Sequence, residues 1–160
     1  MPLSPMGIFH TVLGIGAVVS VFVLLWQDKE IRVERGLAKF YLLATVLTAA
    51  SALTIFRHGG PNGAHVLGVM TILAVIAGLV AGRAGFLGGA QKYIVALCFS
   101  STVLFHLLPT ATEILTRFPM DAPLVNSLEA PLLQKTFAVI GGVFLVMLAL
   151  QMNWLRGQPR

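Results

Sequence analysis

The sequence predicts an all-α fold, a transmembrane helical bundle with five spans. Five apolar stretches of about 18–22 residues fill most of the 160-residue chain, and at ~1.5 Å per residue each can cross a ~30 Å hydrocarbon layer. Hydrophobic residues make up 57% of the chain and charged residues 11%, against roughly 25% charged residues in soluble domains. The mean hydropathy of +0.88 agrees. We therefore expect residues 1–160 to form one transmembrane domain whose first partner is the lipid bilayer.

Each span is predicted to be a helix, because lipid offers no hydrogen bonds to an open backbone. The first span lacks a basic leader and an Ala-x-Ala cleavage site, so we expect it to be a helix rather than a secretory signal. In chain order the predicted spans are Gly7–Trp26, Ala38–Phe56, His65–Gly82, Tyr93–Thr112 and Thr136–Trp154.

The connections between the spans differ in character. Gln27–Leu37 carries charges of both signs and is predicted to be a solvated turn, whereas Arg57–Ala64 is rich in glycine and is predicted to be a tight turn. Arg83–Gln91 is short and Gly-rich. Phe118–Lys135 contains three prolines and is the outer connection long enough to fold over the bundle.

Lysine and arginine are distributed unevenly between the two ends of the spans. Eight of the eleven fall at one end, which the positive-inside rule assigns to the cytoplasm. The Trp and Tyr residues, which often anchor helices at a membrane interface, fall near the same end: Trp26, Tyr41, Tyr93 and Trp154. The distribution predicts an N-terminus outside and a C-terminus inside.

A weak repeat relates the first two spans to the next two. Phe9–Gly14 opens the first span and the similar Ala64–Gly68 opens the third, while Lys39 and Lys92 open the second and fourth. The pattern suggests a duplicated helical hairpin that forms a four-helix core, with the fifth helix peripheral. Chance similarity among apolar helices is the alternative.

The basic character of the chain does not predict a nucleic-acid partner. The net charge is +5 and the isoelectric point is near 10.0, but the basic residues sit in short loops where topology accounts for them. The single cysteine, Cys98, lies within a span, so the sequence offers no disulfide framework.

The four histidines fall at a similar depth and provide the main functional clue. Counted at ~1.5 Å per residue, they lie ~20–26 Å above the inner interface. Histidine within a bilayer is costly unless it is paired or used. We expect His10, His65 and His106 to be cofactor or metal ligands, and we expect His58 to be a plain interfacial residue.

Polar side chains share one face of the fourth span. They recur at spacings of three or four residues, and such a face is expected to point into the bundle. Pro109 removes one backbone hydrogen bond and is expected to kink this helix. Glu113 is predicted to be a fourth metal ligand or a proton carrier, with a protonated histidine, Arg117 or a metal as its partner. The polar positions are Cys98, Thr102, His106, Thr110 and Glu113.

Two resemblances accompany these residues. The segment Phe105–Pro119 (FHLLPTATEILTRFP), with Phe9-His10 and Arg57–Gly60, resembles a family of small bacterial multi-pass integral membrane proteins. That resemblance implies this fold and a bacterial inner-membrane location, but no activity. The helix-borne histidines are also distantly similar to four-helix cytochromes of the b561 type, whose histidines ligate haem. This chain departs from them because its histidines lie near one side, which does not suit a two-haem arrangement.

Two classes of function follow. In the first, the His/Glu site binds zinc, iron or haem b for redox or metal-assisted chemistry, and a haem protein would exchange electrons with quinone or a periplasmic partner. In the second, the chain is a non-catalytic accessory, small-molecule-binding or proton-linked protein whose His/Glu cluster is a hydrogen-bonded network. Whether the protein is an enzyme stays open, and a homo-oligomer is compatible with either class.

The charge distribution predicts the topology directly. Reporter fusions at the two termini should show a periplasmic N-terminus and a cytoplasmic C-terminus. A C-terminal reporter active only in the periplasm would reverse the orientation and move the histidines to the cytoplasmic leaflet.

Overall fold

The computed structural model describes residues 4–56 and 60–158. His58, which we expected at the interface, lies outside these residues. The described regular elements are helical: α1 Pro5–Asp28, α2 Gly36–Ala52, α3 Gly63–Arg83, a 3-10 turn at Gly85–Ala90, α4 Gln91–Arg117 and α5 Pro131–Arg156. Helices α1, α3, α4 and α5 are long and apolar enough to cross a membrane, while α2 is apolar but shorter. The prediction of an all-helical, lipid-compatible bundle is confirmed at this level.

The helices begin where the local sequence supplies acceptors for the first backbone N–H groups. The Ser4 hydroxyl accepts a 3.1 Å hydrogen bond from Gly7 N, and Pro5 follows at the first turn of α1. The Asn62 side chain accepts from Ala64 N at 2.9 Å at the start of α3. Pro131 opens α5, since proline has no N–H to leave unbonded at that position.

Helix α2 ends earlier than hydropathy predicts. The predicted span reached Phe56, but α2 has 17 residues and ends at Ala52, which makes it only ~25 Å long. The Thr54 hydroxyl donates to Ser51 O at 2.8 Å, and Ile55 N donates to Ala52 O at 3.1 Å. These bonds replace the α-helical pattern with a tighter turn, so the fifth span of membrane length is not established.

The helices pack mainly as sequence neighbours. Helix α1 packs against α2, α2 against α3, and α3 against α4, while α4 also meets α1 over a shorter stretch. Helix α5 packs on α4, and only 6% of its most apolar 18-residue window is buried. Helix α4 runs through Pro109 without interruption. The loop after it folds back, with Val125 buried and Val125 N bonded to Leu115 O at 3.0 Å.

Two glycines of α3 allow close helix contacts. A Cβ added at Gly68 would lie 3.3 Å from the carbonyl oxygen of Ala49 on α2. A Cβ added at Gly78 would lie 2.7 Å from Cδ1 of Phe99 on α4, a ring that is fully buried. Small residues at such positions are typical of membrane helices that pack closely.

The apolar core occupies the half of the bundle nearest the predicted cytoplasm. Ala17, Val21 and Leu24 of α1 pack there with Phe99 of α4. Tyr41, which we expected to anchor α2 at the interface, is 0% exposed and belongs to this core. That expectation was wrong because Tyr41 finds a hydrogen-bond partner inside the bundle, the Thr102 hydroxyl, so its polar end does not need water.

The contact at Gly78 predicts a large effect of a small substitution. Gly78→Ala should lower the free energy of unfolding in detergent micelles by about 1–3 kcal/mol, the usual cost of overpacking, because the buried Phe99 ring cannot move away. Gly141→Ala is the matched control, since nothing lies within 4 Å of an added Cβ there. Phe99→Leu should recover part of the lost stability in the Gly78→Ala background. If the double variant instead lost the sum of the two single losses, the contact between residue 78 and the Phe99 ring would not be the cause.

Candidate functional site

Hydrogen bonds to α2 hold the imidazole of His10. His10 Nδ1 lies 3.0 Å from Thr48 O and 3.0 Å from Ser51 Oγ. A carbonyl oxygen can only accept, so Nδ1 carries the proton and donates to Thr48 O. The Ser51 hydroxyl donates its own proton to Thr48 O at 2.8 Å and therefore accepts from Nδ1–H. These bonds fix the neutral tautomer of His10, with Nε2 as the acceptor nitrogen.

Gly14 allows α1 to approach α2 beside this contact. It lies one turn after His10 on α1, and a Cβ added there would touch Thr48 Cγ2 at 3.6 Å. The Thr48 hydroxyl is buried and has no hydrogen-bond partner among the described residues. The Thr48 hydroxyl, which could both donate and accept a hydrogen bond, therefore lies without a described partner next to the contact between His10 and α2.

His106 of α4 also contacts α2. His106 Nε2 lies 3.0 Å from Thr45 Oγ1, and the His106 ring centroid lies 6.3 Å from that of Tyr41. One turn along both helices, the Tyr41 hydroxyl meets the Thr102 hydroxyl. Because Tyr41 and Thr45 are four residues apart on α2, as Thr102 and His106 are on α4, the two contacts form consecutive rungs between these helices.

The end of this chain of hydroxyls fixes the direction of its hydrogen bonds. Thr102 Oγ1 donates to the carbonyl of Phe99 at 2.6 Å, so it must accept from the Tyr41 hydroxyl. Thr45 follows Tyr41 by one turn on α2, and we infer that the Thr45 hydroxyl donates to the Tyr41 oxygen, which still has room to accept. Thr45 Oγ1 is left to accept from His106 Nε2–H. The neutral His106 ring therefore has the tautomer opposite to that of His10, with Nδ1 as its acceptor nitrogen.

The two imidazoles belong to one site. Their partners Thr45, Thr48 and Ser51 lie along two turns of α2, with a rise of ~9 Å from the first to the last. We name His10, Thr45, Thr48, Ser51 and His106 the α2 histidine cluster.

His65 occupies a different position. Its Nδ1 accepts from Asn62 N at 3.3 Å, which completes a capping box at the start of α3, and its ring lies 4.7 Å from the Phe56 ring. The ring is buried, and Nε2 has no hydrogen-bond partner among the described residues. The structure thus gives His65 a helix-capping role and shows no bond from it to His10 or His106.

Glu113 lies near the C-terminal end of α4 and pairs with Arg117. The carboxylate oxygen lies 2.5 Å from Arg117 Nε, and the Glu113 side chain is 56% exposed. Arg117 was one of the three partners that we expected. Thr110, on the same predicted face, is also exposed, so the polar face of α4 is buried at Thr102, half-buried at His106 and exposed beyond them.

The polar residues of α2 were missed in the sequence analysis. Tyr41, Thr45, Thr48 and Ser51 recur at spacings of three or four residues, the same signal that identified the polar face of α4. Their hydroxyls are spread through an apolar segment, whose high average hydropathy hides the polar face.

The comparisons with known proteins add no assignment. No protein-family model, curated protein or solved structure matches the chain. Within residues 4–56 and 60–158, no group of three or more His, Cys, Asp or Glu side chains is arranged to hold a metal ion.

The bond from His106 to Thr45 predicts a measurable cost for losing one hydroxyl. Thr45→Val keeps the side-chain shape but removes the acceptor of His106 Nε2–H and the donor to Tyr41. The free energy of unfolding in micelles should fall by about 1 kcal/mol, within the ~0.6–1.7 kcal/mol range for hydrogen bonds between membrane helices. Thr136→Val is the control, because that hydroxyl bonds only Leu132 O of its own helix. Equal changes in the two variants would show that the interhelical bond contributes nothing.

Proposed function

We propose that this chain is a non-catalytic integral membrane protein whose α2 histidine cluster is a proton-responsive hydrogen-bonded network. One observation carries the proposal: His10 of α1 and His106 of α4 both bond polar groups of α2 along two turns of that helix. Imidazole is the group of this cluster that can take up a proton, which the threonine and serine hydroxyls cannot do, so protonation of either ring would change the network.

The tautomers explain how one proton changes the whole cluster. In the neutral state each ring donates through one nitrogen, Nδ1 in His10 and Nε2 in His106, and has a lone pair on the other. A proton added to either ring turns that second nitrogen into a donor and places a positive charge near the other imidazole. Charges interact strongly in a medium of low dielectric constant, so the two rings titrate as a coupled pair. Protonation then alters the packing of α1 and α4 on α2.

We further propose that the protein lies in the bacterial inner membrane with its N-terminus outside. Eight of the eleven Lys and Arg residues support this orientation. Lys29 lies 5.8 Å over the Trp154 ring and Lys92 lies 5.4 Å over the Tyr93 ring, at the end where α1 and α5 finish and α4 begins. The α2 histidine cluster then belongs to the periplasmic half of the bundle and responds to periplasmic pH.

A metal ion or haem bound by His10 and His106 is the second candidate. Metal-bound imidazoles usually donate their other ring N–H to a carbonyl or carboxylate, as His10 donates to Thr48 O. Zinc or iron would need a water or a substrate as a further ligand, and haem would use the two imidazoles as axial ligands. His65 and Glu113 would then have their capping and ion-pairing roles rather than ligand roles.

Nuclear magnetic resonance of the ¹⁵N-labelled histidines tests the proposed network. The chain has four histidines, so single His→Gln variants assign every signal. At neutral pH, His10 should be the Nδ1–H tautomer and His106 the Nε2–H tautomer. His106→Gln should change the titration curve of His10, and His10→Gln should change that of His106, because each removes the other's interacting charge.

His65→Gln is the matched control and should leave both titration curves unchanged. Independent titration of His10 and His106 would contradict the proposed network. Metal analysis and an absorption spectrum of the same preparation decide the second candidate. Stoichiometric zinc or iron, or a Soret band, that is lost in His106→Gln and retained in His65→Gln would replace the network with a bound cofactor.

A further inference from the structure

A groove between α4 and α5 lies away from the α2 histidine cluster. It is lined by Tyr93, Ile94 and Leu97 of α4 and by Leu148 and Met152 of α5. Its volume is about 300 Å³ and its lining is entirely apolar. Tyr93 and Met152 lie nearest the predicted cytoplasmic end, and Leu97 and Leu148 each lie one turn farther into the membrane-spanning segment. The groove thus extends about one helical turn, ~6 Å, along both helices, which is enough to hold the first part of an acyl chain.

Two cations stand at the end of the groove nearest the predicted cytoplasm. The ammonium of Lys92 lies 5.4 Å over the ring of Tyr93, which lines the groove, and donates to Gln158 O at 2.9 Å across the junction of the two helices. Arg156 follows Met152 by one turn on α5, and Met152 follows Leu148 by one turn, so all three share one face. Arg156 is exposed.

These cations are not neutralised by the carboxylates of the described residues. Arg32 and Arg35, on the neighbouring connection, pair with Glu30 and Asp28. The hydrogen bond from Arg32 to Glu30 raises the pKa of that guanidinium, as expected for a tightly paired cation. Neither Lys92 nor Arg156 takes part in an ion pair among residues 4–56 and 60–158. Within the part of the chain that the structure describes, an apolar groove therefore ends in two positive charges that no carboxylate pairs with.

We infer that this groove binds an anionic phospholipid, with one acyl chain against Leu97 and Leu148 and the phosphate beside Lys92 and Arg156. The inference is independent of the proposed proton-responsive network. The apolar lining favours a hydrocarbon chain, and the cations favour an anionic headgroup over a zwitterionic one. Lysine has three N–H donors, so Lys92 bonds Gln158 O and still has donors for a phosphate. Basic residues at the cytoplasmic ends of helices are a known feature of anionic lipid recognition.

Native mass spectrometry of the full chain in detergent tests the lipid site. The protein is titrated with dioleoyl phosphatidylglycerol and, separately, with dioleoyl phosphatidylcholine. We expect the first phosphatidylglycerol to bind more tightly than the first phosphatidylcholine. Lys92→Gln and Arg156→Gln should each weaken phosphatidylglycerol binding about fivefold, the fold-change that corresponds to ~1 kcal/mol per basic residue at an anionic surface. Neither variant should change phosphatidylcholine binding.

Two further variants separate the groove from the general lipid surface. Met152→Trp fills the groove and should weaken the first binding step for both lipids. Val143→Trp, at a 65% exposed position elsewhere on α5, is the matched control and should change neither. Lys135→Gln, at the opposite end of α5, is the matched control for charge. Equal affinity for the two lipids, or equal effects of Lys92→Gln and Lys135→Gln, would overturn the inference, as would unchanged binding in Met152→Trp.

Discussion

The polar face of α2 must find its hydrogen bonds inside the protein, and the arrangement of α1 and α4 depends on this constraint. Lipid offers no partner to Tyr41, Thr45 or Ser51, and a buried polar group without one costs several kcal/mol. Helix α1 supplies His10 and α4 supplies His106 and Thr102. Because each of these contacts needs one helix face, rotation of α1 or α4 about its axis would leave polar groups facing lipid.

Hydropathy predicted the helices well because transfer to lipid depends chiefly on residue type. It did not predict where α2 ends, since Ser and Thr count as nearly neutral whether their hydroxyls bond a helix or disrupt one. In this chain Ser51 and Thr54 bond backbone carbonyls at the end of α2. The helix therefore ends at Ala52 although the sequence stays apolar to Phe56. Such an end depends on local geometry, which a hydropathy average does not contain.

The candidate site shows that the depth of a residue in the bundle can be counted from the sequence, whereas the direction in which its side chain points depends on helix packing. His10, His65 and His106 were expected at similar depths, but the orientation of each ring depends on its nearest hydrogen-bond partner. His65 is the third residue of α3 and turns back to Asn62, because the first turn of a helix has unbonded N–H groups. Glu113 follows His106 by seven residues on the same predicted face, yet it pairs with Arg117 in its own helix. The depth count grouped His10 and His106, which both bond α2, but it did not predict the partners of His65 and Glu113.

The direction of the hydrogen bonds from His106 favours a responsive network over a proton pathway. Each hydroxyl donates to the next, and the last one, Thr102, donates to the carbonyl oxygen of Phe99. A backbone carbonyl accepts a hydrogen bond but does not pass a proton onward, so the chain of donors ends there. Beyond it lies the apolar core around Val21 and Leu24. Under the proposed function, a proton taken up by His10 or His106 is therefore held on the histidine side of this core, where its charge acts on the packing of α1 and α4 rather than crossing to the other side.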